Sequence, residues 1–426
     1  MTALARLPMA SRQDRWIVSE ASGGAFRAAR DLGERRRRGL GPSLLWLYAF
    51  LLPVQVPVGT GRLAPSDMFL VLYLLLFFGR VRRVPAGWSA WHPALVSVFG
   101  MGLLVAFARN HQVSGYALGT KTAGLVFLMI TYAVLLDHCA DRRDARFLLG
   151  AFLVGVTSQA LLAVVVYILQ VAGLVVTNAV NFQGARVSGL LVDPNAFGGI
   201  VAVALTLHLW TARTAHPIWP WRSGRLTAGV VLLVALALTF SRSAWLAYFL
   251  ALGTSFLIRG VRGLRPFPLH HLVALTAGVG LLLVVRPGLL SLAVRPDELN
   301  GRVGILDAAA QEFVSSPIFG IGLGTYIYEH GVIIHSTLAW FGAEMGLVGL
   351  ITFAGFLSWY LRGLWRRARE PTNPDAGLAQ AVLLSIVAVL GLSLGIEALY
   401  QRYWWLLFAV AGGIFARTAR ERDDEP

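Results

Sequence analysis

His335 and a scattered set of cations stand where apolar runs of the chain break off. The imidazole lies in His335-Ser336-Thr337, at the end of the longest interruption between apolar runs in the second half, residues 287–336. Histidine titrates near neutrality, so it can accept a proton from a hydroxyl or orient one; a structural histidine at an interface is the plain alternative. The same interruption carries Arg295, Arg302, Asp307, Glu312 and a glycine-rich turn at 320–324. No Gly-Lys-Ser/Thr follows those glycines, so the turn is not a P-loop. It reads as a close approach of backbones, or else as a bent re-entry of the chain.

Arg242 lies in Ser241-Arg242-Ser243, between two apolar runs with almost no loop to carry it into water. An ionisable group so close to a spanning segment is a functional candidate by default. The alternatives are a bound anion and a lipid-phosphate anchor. Arg186 precedes Asp193-Pro194-Asn195, where Asp193 can cap a helix, Pro194 fits its first turn and the free N–H groups favour an anion. A phosphate clamp and an ordinary loop before a well-made cap are both open. Lys121, in Gly119-Thr120-Lys121-Thr122, falls inside or at the mouth of an apolar run. It could bind substrate phosphate or reach the surface. Glu344 and Glu397 are carboxylates on apolar segments that could orient a site arginine or brace a neighbouring helix, bracing being the favoured reading for Glu344. Arg62, Arg109 and Arg402 read as solvated loop residues.

The elements that must position these groups are apolar helices. The 426 residues are 56% hydrophobic and only 14% charged, and mean hydropathy is +0.65. A soluble domain carries about 25% charge. Near-continuous apolar runs of helical rather than alternating character point to an all-α polytopic membrane protein and away from a β-barrel. Twelve spans are predicted, near 41–58, 66–79, 94–108, 114–136, 147–172, 191–211, 225–240, 243–258, 270–286, 338–361, 377–397 and 403–416. With the N-terminus inside, every second loop is arginine-rich, as the positive-inside rule requires. That assignment gives a basic cytoplasmic tail at 1–40 with Arg35 to Arg38, a membrane domain at 41–416 and a cytoplasmic tail at 417–426. A long outer loop at about 287–337, containing short helices, would then roof the outer face. The net charge of +15 is explained by topology and anionic lipid rather than by nucleic acid. Residues 1–40 lack the apolar core of a cleavable signal peptide. Cys139 is the sole cysteine, so no internal disulfide or cysteine metal cluster is expected.

Several cations at one membrane face suit a polyanion whose tail lies in lipid. A lipid-linked diphosphate meets both conditions, its phosphate oxygens clamped by arginines. The sequence has no nucleotide fingerprint, no paired acidic motif of a metal-dependent transferase on the outer face and no zinc spacing. A metal-free transfer with no cofactor is the expected chemistry. Arginines would stabilise a diphosphate leaving group, and His335 would orient or deprotonate an acceptor sugar hydroxyl. A solute transporter is the competing class, but the halves show no repeat of the kind many carriers have.

The chain resembles the O-antigen ligase/polymerase family of bacterial envelope enzymes. The resemblance is carried by Arg186-Val187-Ser188-Gly189 with Asp193-Pro194-Asn195, Phe240-Ser241-Arg242, Asn300-Gly301-Arg302, Pro317-Ile318-Phe319-Gly320-Ile321-Gly322, and His335-Ser336-Thr337 followed by Glu344-Met345-Gly346-Leu347. It implies a GT-C-like glycosyltransferase of the bacterial inner membrane, both termini cytoplasmic, with its site facing the periplasm. The implied donor is an undecaprenyl-diphosphate-linked glycan. The acceptor is lipid A-core for a ligase, the favoured reading, or a growing O-antigen, capsule or exopolysaccharide chain for a polymerase. Carried onto this sequence, His335 and Arg242 are the catalytic candidates. Arg186, Arg302, Lys121 and Asn195 are the candidates for binding diphosphate or sugar. The family often has Asn after its histidine; here Ser336 offers a hydroxyl instead.

Overall fold

The computed structural model describes residues 39–423 apart from 59–60, 82–84, 175–180, 183–185, 192, 213–218, 220–221, 260–279, 281–295 and 371. The basic tail, the run at 270–286, Arg286, Arg295 and the side chain of Arg62 lie outside what is described. In chain order the helices are α1 Leu40–Phe50, α2 Pro65–Phe77, α3 Trp91–Asn110, α4 Ala123–Cys139, α5 Arg142–Val171, α6 Pro194–Thr211, α7 Arg222–Leu238 and α8 Arg242–Arg259. There follow α9 Pro296–Ser315, α10 Thr325–His330, α11 Thr337–Arg369, α12 Ala376–Leu392 and α13 Arg402–Asp423. A π-helical segment, Tyr116–Thr122, leads into α4. Two antiparallel ribbons complete the described part: β1 Val56–Val58 with β2 Gly61–Leu63, and β3 Asn181–Phe182 with β4 Arg186–Val187.

The architecture is all-α, but it corrects the expected twelve-span, GT-C-like bundle. Among the described residues four helices are long and apolar enough to cross a membrane: Trp91–Asn110, Tyr116–Cys139, Arg142–Val171 and Thr337–Arg369. Leu40–Phe50, Pro65–Phe77, Ser223–Leu238, Arg242–Ile258 and Ala376–Leu392 are apolar but shorter. At 1.5 Å per residue, helices of this length reach roughly 16–26 Å, short of a hydrocarbon core about 30 Å thick. Apolar runs thus located helices well, yet run length overstated helix length. The run at 41–58, for example, contains α1 from its second residue on, a turn and strand β1.

Burial divides the helices by role. Most of α6, α12 and α13 is buried in the core; α12 packs against α8, α6 and α11. The outer helices instead turn large apolar groups outward, including Leu75, Leu104, Phe107, Ile168 and Leu257. An apolar exterior around a packed interior is what a hydrocarbon solvent permits, and it is consistent with a multi-pass membrane protein. One end of the bundle gathers charge: Asp375 binds both Arg142 (2.8 Å) and Arg417 (2.8 Å). The sequence candidates lie at the other end, where α11, α8 and α6 begin.

The glycine-rich turn at 320–324 is built into α11. Gly346 breaks that helix with φ 61° and ψ −156°, a conformation essentially restricted to glycine. The break leaves backbone groups that the turn satisfies. Ile321 and Gly322 donate to the carbonyls of Ala343 (2.9 Å) and Glu344 (3.0 Å), while Leu347 and Val348 donate to Pro317 (2.8 Å) and Ile318 (3.1 Å). Leu323 donates to Gly102 of α3 at 2.9 Å. The close backbone approach read from the glycines is therefore an approach to α11 and α3. Gly346 ends one helix and starts the next. A Cβ at Gly346 would lie 2.5 Å from the Ile318 carbonyl. Gly346→Ala is expected to cost about 2–4 kcal/mol through backbone strain and displacement together. Gly342→Ala, whose Cβ would meet only ordinary contacts at 3.6 Å and beyond, is expected to leave the melting temperature unchanged or raised. Thermal melting of the purified protein checks both.

Candidate functional site

Three helix N-termini converge at this end of the bundle. Asp193 caps α6 by accepting from Asn195 N–H at 2.9 Å, as Asp193-Pro194 suggested. Ser241 precedes α8 and accepts from Ala244 N–H at 3.4 Å. Ser336 caps α11 through Ala339 N–H at 3.4 Å. Each N-terminus carries a partial positive charge and unsatisfied N–H groups. Their convergence makes the region favourable for an anion.

Side chains lock the termini together. Arg186, 5% exposed on β4, donates Nε–H to the Thr239 carbonyl at 2.9 Å and Nη2–H to Asn195 Oδ1 at 3.0 Å. It thereby ties the turn before α8 to the first turn of α6. Phe240 in that turn adopts a left-handed φ of 48°, and Arg242 opens α8 on the exposed surface. Thr337 fixes α11 to the loop after α12. Its N–H donates to Ser393 O (2.9 Å), its Oγ1 donates to Ile396 O (3.2 Å) and accepts from Ala398 N–H (2.8 Å). Gly395 of that loop packs against Ser243: a Cβ there would lie 2.8 Å from the serine Cβ. Arg302 of α9 donates from Nη1 to the Gly395 carbonyl at 3.4 Å.

Arg186, Asn195, Arg242, Arg302 and His335 are thus brought to one site. His335 is exposed and has no hydrogen-bond partner among the described residues. Enclosure by neighbouring protein, followed by the Arg302 charge, lowers its pKa from the ordinary histidine value; Asp193 and Glu397 pull the other way. The ring therefore favours its neutral, proton-accepting form.

Lys121 sits differently from the other cations. It is 2% exposed, ion-paired with Glu397, and its ammonium lies 4.2 Å from the Trp340 ring centre and 4.9 Å from that of Tyr400. Tyr400 also donates its hydroxyl to the Lys121 carbonyl at 2.9 Å. This cation's first partner is Glu397, the carboxylate on the loop that meets Arg302 and Thr337. Glu344 braces the glycine turn, accepting from Gly324 N–H at 2.8 Å and Trp340 Nε1–H at 2.7 Å. Sequence reasoning placed Glu397 on the eleventh run but missed its partner. The two residues are 276 positions apart, and only their shared apolar setting hinted at pairing.

Two cations expected to be solvated are paired. Arg402 forms a two-pronged ion pair with Asp67 of α2. Arg109 meets Glu329 at 3.3 Å and Glu312 at 3.9 Å. Glu312 also contacts His330 Nε2 at 3.0 Å, and the ligand atoms of Glu312, Glu329 and His330 lie within 4.8 Å of one another. This trio is the group among the described residues with metal-ligand chemistry, but Arg109 already brings a cation to its two carboxylates.

Compared with protein families, residues 227–354 match the model described as O-Antigen ligase. The matched segment contains Arg242, Arg302 and His335 and leaves out Lys121, Arg186, Asn195 and Glu397. No curated protein matches the chain.

Proposed function

We propose, from the match of residues 227–354 to the O-antigen ligase family model, that this chain joins a glycan from a lipid-linked diphosphate donor to lipid A-core. The match supports a membrane glycosyltransferase or ligase role in general terms. The observation that carries the finer reading is the meeting of three helix N-termini with Arg186, Arg242 and Arg302 beside His335. Such a site suits a diphosphate next to a hydroxyl that must lose a proton.

In this reading the undecaprenyl chain lies along the apolar exterior and its diphosphate faces Arg242 and Arg302. His335 accepts the proton of the acceptor hydroxyl as that oxygen bonds to the anomeric carbon. The bond from that carbon to the diphosphate oxygen breaks, and the departing negative charge is met by guanidinium groups and helix N–H groups. The protonated imidazole returns its proton to solvent. Asn195, held by Arg186, offers its side chain to diphosphate or sugar, and Lys121 keeps Glu397 in place. The basic end of the bundle, with Arg142, Arg366, Arg367 and Arg369, belongs in the cytoplasm by the positive-inside rule. That orientation gives the site the periplasmic face, with the segment at 296–337 as its roof.

The test is incubation of the purified protein with an undecaprenyl-diphosphate-linked glycan, with and without lipid A-core. Glycan on lipid A-core is the expected product. A ladder growing only on the prenyl carrier would make the enzyme a polymerase. An unconsumed donor, together with solute counter-flow in proteoliposomes, would replace transfer with transport.

A further inference from the structure

The opposite end of α11 carries a second feature with ligand chemistry. An open cavity of about 750 Å³ runs along this helix, from Ile351 past Trp359 to Arg362 and Arg366, with Trp91 and Phe415 as its other walls. Its two ends differ in character. Ile351 is 61% exposed on a helix apolar and long enough to cross a membrane. Eleven and fifteen residues further on, about 16 and 22 Å along the axis, Arg362 and Arg366 are exposed. The tryptophans lie between, where amphipathic rings suit a membrane–water boundary.

The charges in this cavity are unbalanced. Arg362 and Arg366 stand four residues apart on one helix face, a spacing at which like charges repel. Neither has an acidic partner among the described residues. Arg367, by contrast, is fixed in the wall, donating to Thr418 Oγ1 and the Gly363 carbonyl at 3.1 Å each and lying 4.4 Å over the Phe415 ring. A topology signal requires only positive charge near a span; it requires neither a cavity nor an aromatic wall. A ligand with a negative head and an apolar body satisfies all three features at once.

We propose that this groove binds an anionic phospholipid. The phosphodiester head pairs with Arg362 and Arg366, and an acyl chain lies past Trp359 along Ile351. Basic pockets between membrane helices recognise such headgroups by the same chemistry. The site is at the far end of the bundle from His335, so it is independent of the transfer reaction.

The full chain would be melted in phosphatidylcholine nanodiscs, with phosphatidylglycerol added in one arm and soluble pyrophosphate in another. Phosphatidylglycerol is expected to raise the melting temperature, and any shift with pyrophosphate, which has its own proposed site beside His335, to be the same in wild type and R362Q/R366Q. In R362Q/R366Q the lipid should bind on the order of tenfold more weakly, since each basic group near a headgroup contributes about one thermal-scale increment of attraction. R143Q/R369Q, which removes equal charge from exposed arginines outside the groove, should respond as wild type does. If the double variant does not fold, R366Q alone and native mass spectrometry of lipid retained by the wild type carry the same comparison. Equal lipid response in the groove variants and wild type overturns the proposal. So does a wild-type melting temperature that phosphatidylglycerol leaves at its phosphatidylcholine value, and a pyrophosphate shift lost in the groove variants would reassign the groove to a soluble anion.

Discussion

His335→Ala should lower the transfer rate by roughly two to four orders of magnitude, the range for loss of a positioned general base. Its melting temperature should hardly move, because the side chain is exposed and without a hydrogen-bond partner among the described residues; such surface changes usually stay within about 0.5 kcal/mol. The pH profile separates a base from a group that only orients the acceptor. Enclosure and then Arg302 lower the His335 pKa, so the neutral ring prevails near neutrality and the acid limb of the wild-type profile lies below the ordinary histidine midpoint. A base loses activity as pH falls through that pKa. His335→Gln keeps a hydrogen-bonding side chain but cannot take the proton, so it should be slow with no limb in that region. A fast glutamine variant would make the imidazole an orienting group. An alanine variant at the wild-type rate would remove His335 from the reaction.

Much of where the candidate residues sit was legible, because they fall where local signals change. Asp193-Pro194 is a helix start whichever way the chain folds, and it does start α6. Arg242 and His335 mark the beginnings of α8 and α11 because an apolar run opens immediately after each. Pairing across the chain was not legible. Arg402 looked like a loop residue, and Asp67 lies 335 positions away. Lys121 read as either a phosphate ligand or a group reaching the surface, and its pairing with Glu397 was in neither reading. In a low-dielectric interior an unpaired charge is costly, so isolated charges on apolar helices invite a search for partners. Sequence supplied the need for a partner but not its address.

The span count failed for a related reason. Hydropathy registers apolar residues whether they lie in a helix, a turn or a ribbon. Pro57 and Val58 belong to a hairpin, yet they lengthened the first apolar run. Gly346 shows the converse error: composition around it is uniformly helical, while the backbone breaks there and is completed by the turn at 320–324. That break matters for the site. The turn anchors α10, the segment after α10 carries His335, and Glu344 holds the turn from the α11 side. The position of the imidazole is thus set partly by a glycine eleven residues beyond it.

Arg302→Gln should affect rate and pH dependence together. Loss of one positioned donor to developing negative charge lowers turnover by about 10²–10³-fold. Arg302 is also among the groups that lower the His335 pKa. Removing the cation stabilises the imidazolium, raises that pKa and moves the acid limb to higher pH. Arg302→Lys keeps the charge but not the planar fork; its limb should stay near the wild-type position while the rate falls by less than in the glutamine variant. Arg402→Gln makes a discriminating comparison, since its ion pair with Asp67 joins α13 to α2. That change should lower the melting temperature and leave the acid limb where it was. A rate loss in Arg302→Gln without movement of the limb would mean that Arg302 meets substrate away from the imidazole. Movement of the limb without a rate loss would make it an electrostatic neighbour of His335 that never touches the diphosphate. Only the joint change fits a guanidinium placed between the leaving group and the base; the bond to Gly395 holds Arg302 near the start of α8.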